Sequence, residues 1–137
     1  MPSTRYVFDS FAFFALVQEE PGAPIVEKIL TRAQHGEAHV AMTVVNAGEA
    51  VYKTLREYGQ EQANRLIARL YALPISLLDV DMTLALSAAL LKGQFKMSYA
   101  DCFAAALAQA LPAVLLTGDP EFKQVQHLIS VEWLPQP

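Results

Sequence analysis

Two rhythms of apolar positions alternate along the chain. Short apolar runs, Tyr6 to Phe8, His39 to Met42, Ile75 to Val80, Ala113 to Leu116 and Ile129 to Trp133, have the length of strands and each meets polar or turn residues. Between them the apolar positions are spaced three and four apart, as on one face of a helix. Helices are predicted from Phe11 to Val17, and from about Ile25 to His35-Gly36 after the turn cluster Glu20 to Pro24. A third is capped by Thr43, has an inner stripe of Val45, Gly48, Tyr52 and Leu55, and stops near Tyr58-Gly59. A fourth runs from Glu61 to Tyr71, a fifth from the Asp81 cap to Leu91 before a break at Gly93-Gln94, and a sixth from Ser98 to Leu111, ended by Pro112. A short helix follows Asp119-Pro120. Strands separated by helices require right-handed crossovers, so the expected fold is α/β, a three-layer α/β/α sandwich around a central parallel sheet.

Composition sharpens this picture. A chain of 137 residues, 53% apolar and 18% charged, is expected to form one domain over residues 1–137 with a single well-packed core. The longest apolar stretches, Leu84 to Leu91 and Ala110 to Leu116, fall short of the roughly 20 residues of a membrane span, so no membrane association is expected. The first residues carry Asp9, Glu19 and Glu20 and no basic leader, which points to the cytoplasm. The high apolar fraction for so small a chain suggests a homodimer. Cys102 is the one cysteine, excludes an internal disulfide and reads as a core residue. A net charge of −4 repels polyanions, so nucleic acid would have to be held by a local basic patch or through bound cations.

The acids are where the pattern becomes unusual. In an open parallel sheet ligands bind beyond the carboxyl ends of the strands, where Asp9 and Asp119 follow the first and fourth strands. Glu49 falls on the inner stripe of its helix, and Gly48 beside it, at a cost of about 1 kcal/mol relative to alanine, suggests a close backbone approach. Asp101 shares its helix face with Ala104, Ala105 and Ala108. Carboxylates on faces that ought to be dry must be protonated, paired or bound to metal. Four together suit Mg²⁺ or Mn²⁺, hard cations that take oxygen ligands and activate water for attack on phosphodiesters.

Simpler readings exist for each, that of Asp9 being a turn residue at a strand end. Asp119-Pro120 is a common helix start, Ser98 to Asp101 fits a capping box, and Glu49 can pair with Lys53 one turn later. His35 and His39 have zinc-helix spacing, but Gly36 breaks the helix this needs, and they read as loop residues. Asp79 and Asp81 flank Val80, with capping by Asp81 the favoured role. Lys92 and Lys96, bracketing a glycine-containing loop, and Arg56, beyond Glu49 on its helix, are candidates for contact with phosphates.

Four segments, Tyr6 to Ser10, Val45 to Glu49, Ser98 to Asp101 and Leu116 to Phe122, in this order and spacing resemble the PIN domain, and specifically the VapC-type toxins of toxin–antitoxin pairs, across nearly the whole chain. The resemblance implies adjacent first and fourth strands, an acidic metal site that cleaves RNA, and often a dimer inhibited by a cognate antitoxin. It assigns Asp9, Glu49, Asp101 and Asp119 as the acidic set, with Thr117 and Ser10 as polar support. The family often has a hydroxyl residue two positions after the first aspartate, where this chain has Phe11. A phosphoacceptor receiver domain would need paired acids after the first strand and a late lysine, and neither is present. The alternative that remains is a non-catalytic PIN-like interaction module. On the metal reading, neutralising Asp9 or Asp101 should have the same effect.

Overall fold

The structure, a computed structural model, describes residues 3–137. Its strands are β1 (Thr4–Phe8), β2 (Ala38–Thr43), β3 (Ser76–Leu78), β4 (Val114–Thr117) and β5 (Ser130–Trp133). Its helices are α1 (Ser10–Val17), α2 (Ala23–Gln34), α3 (Val44–Tyr58), α4 (Gln60–Ala72), α5 (Met82–Gln94) and α6 (Tyr99–Ala110), with a 3-10 turn over Pro120–Val125. The five strands form one sheet in the order β3-β2-β1-β4-β5, every pairing parallel. The expected α/β sandwich is present, and β1 does lie beside β4, with Phe8 opposite Leu116.

Alternation along the strands divides the core between the two faces of the sheet. Tyr6, Phe8, Val40, Met42 and Leu116 pack in the cluster that includes residues of α1, α2 and α4. Val7, Ala41 and Leu115, one position out of step, pack with α5, α6 and the 3-10 turn. Because a strand's side chains alternate, each central strand needs apolar residues at successive positions, which is why these segments read as continuous apolar runs.

Four sequence expectations shift. The buried residues of α3 are Asn46, Ala47, Glu49, Ala50 and Thr54, while Tyr52 and Leu55 of the expected inner stripe are exposed. The helix presses its small residues inward, and its large ones are left outside. Gly48 accordingly faces open space, with nothing within 4 Å of where a Cβ would sit, so no close approach explains it. Gly93 does not break α5, which continues through Gln94, and the turn begins at Phe95. The third strand is shorter than its apolar run, because at the sheet edge only Ser76 to Leu78 find partners, in Ala41 to Thr43 of β2.

Candidate active site

The carboxyl ends of β1 and β4 are joined by a side-chain chain of hydrogen bonds. Asp9, directly after β1, caps α1 by accepting from the Ala12 N–H at 3.0 Å. Its second oxygen accepts from the Thr117 hydroxyl at 2.5 Å, and Thr117 Oγ1 in turn accepts from the Asp119 N–H at 3.0 Å. Asp9 and Thr117 are buried. Burial pushes the Asp9 carboxyl up to about 7, against the lowering effect of the Thr117 and Ala12 hydrogen bonds, with the Asp119 charge adding to the rise.

Glu49 enters from α3. It is buried, its Oε1 accepts from Ser10 Oγ at 2.5 Å, and its Oε2 lies 3.6 Å from Nζ of the half-exposed Lys53. The sequence-level pairing with Lys53 therefore exists, and it coexists with an inward-facing carboxylate.

Asp101 enters from the first turn of α6. Ser98 caps that helix by accepting from the Asp101 N–H at 3.1 Å, but the return half of a capping box is missing. The Ser98 N–H is taken instead by Glu121 Oε2 at 3.3 Å. The Asp101 carboxylate is thus released from helix capping, and among the described residues no ion pair reaches it. Burial pushes this group up to about 9, helped by the charges of Asp119 and Asp9, a hydrogen bond with Glu121 and the charge of Glu49. Asp119 caps the 3-10 turn through the Glu121 N–H at 2.9 Å, as its Asp-Pro sequence suggested. Capping does not remove it from the cluster: Asp101, Asp119 and Glu121 each offer an oxygen, all within 4.8 Å of one another.

The model of the PIN domain family matches residues 6–128. The chain belongs to the PIN domain family. Solved structures with the same fold include a VapBC complex from Rickettsia felis bound to a fragment of its promoter DNA, with a TM-score of 0.76 and 16% identity, covering 96% of this chain and 100% of that one. A sarcin-ricin loop cleaving VapC toxin from Mycobacterium tuberculosis gives 0.74 at 15% identity, covering 95% and 99%. A VapBC complex from nontypeable Haemophilus influenzae gives 0.68 at 20% identity, covering 95% and 98%. No curated protein matches the sequence at a significant level.

Within this PIN domain the departure at Phe11 has a local explanation. The Phe11 ring packs against Gly118, where a Cβ would collide with its Cε1 and Cζ, so aromatic and glycine fit as a pair. The hydroxyl bond to an acid is made one position earlier, by Ser10. Glu121 is the acid that sequence reasoning missed. Its signal was the Asp119 cap itself, which draws the Glu121 N–H onto the capping carboxylate and so keeps the two acids close.

The basic candidates of the PIN domain lie at its surface. Lys92 is in the last turn of α5, its Nζ donating to the Met97 carbonyl at 2.7 Å, so it ties a turn rather than a glycine loop. Lys96 follows, its backbone N–H bonded to Gln124 Oε1 at 3.1 Å. Arg56 stacks its guanidinium 5.0 Å over the Tyr52 ring on the exposed side of α3. Asp81 caps α5 through the Leu84 N–H at 2.9 Å, and His35 ends α2 ahead of Gly36 at φ 75°, so neither becomes part of the acidic cluster.

Proposed function

We propose that this PIN domain is a metal-dependent endoribonuclease and the toxin of a toxin–antitoxin pair, hydrolysing RNA phosphodiesters at an acidic site that takes Mg²⁺ or Mn²⁺. One observation carries the reading: the buried Asp101 carboxylate has, among the described residues, no cation beside it and stands within reach of Asp119 and Glu121. Such crowding binds a proton only for want of a better cation. An all-oxygen, all-carboxylate donor set fits a hard divalent ion, and Asp9, Glu49, Asp101 and Asp119 would hold it, with Glu121 beside them. When bound, that ion lowers the pKa of a coordinated water and polarises the phosphate.

The chain's own residues do the rest. Thr117 and the Ala12 N–H fix the Asp9 carboxylate, Ser10 fixes Glu49, and the frame of β1, β4, α3 and α6 keeps the acids in place before any ligand arrives. Lys92, Lys96 and Arg56 are proposed to meet the RNA backbone outside the acidic site, compensating the net charge of −4. A cognate antitoxin as partner is supported by the VapBC complexes that share the fold. A homodimer is supported by Met82, Leu86 and Leu90, large apolar residues exposed one turn apart along α5. The single five-stranded sheet supports one domain over residues 1–137, and a cytoplasmic location belongs to the same reading; among the described residues no helix is long and apolar enough to cross a membrane.

The test is incubation of the purified chain with total RNA in EDTA, Mg²⁺ or Mn²⁺. Cleavage that appears with a divalent cation and disappears with EDTA is expected. Intact RNA under all three conditions, from protein shown to bind Mn²⁺, would favour the interaction-module alternative.

A further inference from the structure

Asn46 has no exposed surface, and a carboxamide is costly to bury unless its donors and acceptor are paired. It stands in the first turn of α3, where Thr43 already caps the helix by accepting from the Asn46 N–H at 3.0 Å. Helix capping is therefore complete without the Asn46 side chain. That side chain instead accepts from the Thr43 hydroxyl at 2.5 Å and donates from Nδ2 to the Ala100 carbonyl, at 3.0 Å, in the first turn of α6. It ties together two helix starts that are remote in sequence.

Both ends of this tie abut the acidic cluster. Glu49 follows Asn46 by nearly one helical turn, and Asp101 is the residue after Ala100. The other buried residues near the start of α3 are Ala47 and Ala50, and α6 buries Ala104, Ala105, Ala106 and Ala108. Alanine faces let helices approach closely, yet they offer few ridges to stop one helix sliding along another. A hydrogen bond of fixed length supplies the register that the packing does not.

We infer that Asn46 is a positioning residue that sets the separation of Glu49 from Asp101, and through it the affinity of the acidic site for a divalent cation. The inference rests on the proposed metal site. Mg²⁺ accepts little deviation from octahedral geometry, and any divalent ion needs its carboxylates held at the right separation, so a small shift of one helix costs affinity before it costs the fold. Leucine has nearly the shape of asparagine and can make neither bond. Aspartate would keep the Thr43 bond but set a carboxylate oxygen against the Ala100 carbonyl.

The experiment compares Asn46→Leu with Thr54→Val in the full chain. Thr54 is also buried on α3, but its hydroxyl bonds only the Ala50 carbonyl of its own helix, at 2.8 Å. Mn²⁺ binding is measured by calorimetry and by electron paramagnetic resonance, beside thermal melts in EDTA. Asn46→Leu is expected to weaken Mn²⁺ binding about 10-fold or more, in the range typical of residues that hold metal ligands in place, while Thr54→Val leaves it within about twofold. Asn46→Ser, too short to reach Ala100 yet less disruptive to the core, should reproduce the loss of affinity if the leucine variant does not fold. Unchanged Mn²⁺ affinity in a folded Asn46 variant overturns the inference, as does a loss shared by Thr54→Val in proportion to its fall in melting temperature. Wild-type protein that binds no Mn²⁺ overturns the metal site itself and this inference with it, a result readable before any variant is made.

Discussion

The β1–α1 corner and the first turn of α6 each bring a buried aspartate to the same site, but on different terms. Asp9 is bound into the fold: one oxygen caps α1 and the other takes the Thr117 hydroxyl, so the side chain does structural work whether or not a cation is present. Asp101 has been excused from such work. Its backbone N–H is served by Ser98, the return bond of the cap is supplied by Glu121, and its carboxylate is crowded by Asp119, Asp9, Glu121 and Glu49. Two residues with the same chemistry and similar burial thus divide into one whose charge is partly satisfied by hydrogen bonds and one that, among the described residues, has no cation beside it. Neutralising either is expected to act alike on activity, but the two geometries predict different effects on stability.

The largest effect is on cleavage. Asp9→Ala and Asp101→Ala should each reduce metal-dependent RNA hydrolysis by more than the roughly 10–100-fold typical of losing a residue that merely supports a ligand. Measured under single-turnover conditions at saturating Mn²⁺, a variant retaining near wild-type rate would remove its aspartate from the proposed metal site.

Metal-free stability against pH should separate the two next. A carboxyl whose folded pKa is raised contributes stability that is fully present below its unfolded value, 3.8, and is lost as pH rises to its folded value. For Asp9 that loss is complete near pH 7, and for Asp101 it continues to about 9. Melts of the wild type in EDTA should therefore keep falling between pH 7 and 9, at up to about 1.4 kcal/mol per pH unit. Asp101→Asn should flatten that segment and Asp9→Asn should not. A slope retained in Asp101→Asn would show that its burial is relieved in some other way.

At a single neutral pH the alanine variants should move in opposite directions. Asp9→Ala loses a helix cap, at about 1 kcal/mol, and strands the Thr117 hydroxyl, at about another 1 kcal/mol or more. Asp101→Ala loses no cap, since Ser98 serves the helix through the backbone N–H of residue 101, and it removes a polar carboxyl that is costly to bury, so its melting temperature should hold or rise. An Asp101→Ala variant melting below Asp9→Ala would restore the capping-box reading of Ser98 to Asp101.

Most of this was legible before the structure, for reasons that differ by element. The strands showed because a sheet buried on both faces demands unbroken apolar runs, and the acids at strand ends showed because parallel sheets direct ligands there. The inner face of α3 did not, because its large apolar residues, Tyr52 and Leu55, lie outside while alanines, Asn46 and Thr54 lie inside, reversing the size pattern on which periodicity reasoning leans. Asn46 and Glu121 escaped for a related reason. Each matters through a hydrogen bond to a backbone group on another element, Ala100 and Ser98 respectively, and nothing local in sequence announces such a partner.

The smallest effect concerns the lysines, where the same division between structural and available charge recurs. Lys92 spends its ammonium on the Met97 carbonyl that closes the α5–α6 turn, whereas the contacts of Lys96 with Gln124 are made by its backbone, and among the described residues its ammonium has no partner. Lys92→Ala should therefore cost stability of about 1 kcal/mol, and Lys96→Ala almost none. Both should weaken binding of a catalytically silent Asp101→Asn variant to single-stranded RNA, and for Lys96→Ala the slope of log affinity against log salt should fall by about 0.7, the value for one phosphate contact on a single strand. Lys92, already engaged with a carbonyl, should change that slope less. Equal slopes for both variants would mean that the Met97 bond opens when RNA arrives, and an unchanged slope for Lys96→Ala would place the RNA path elsewhere on the surface.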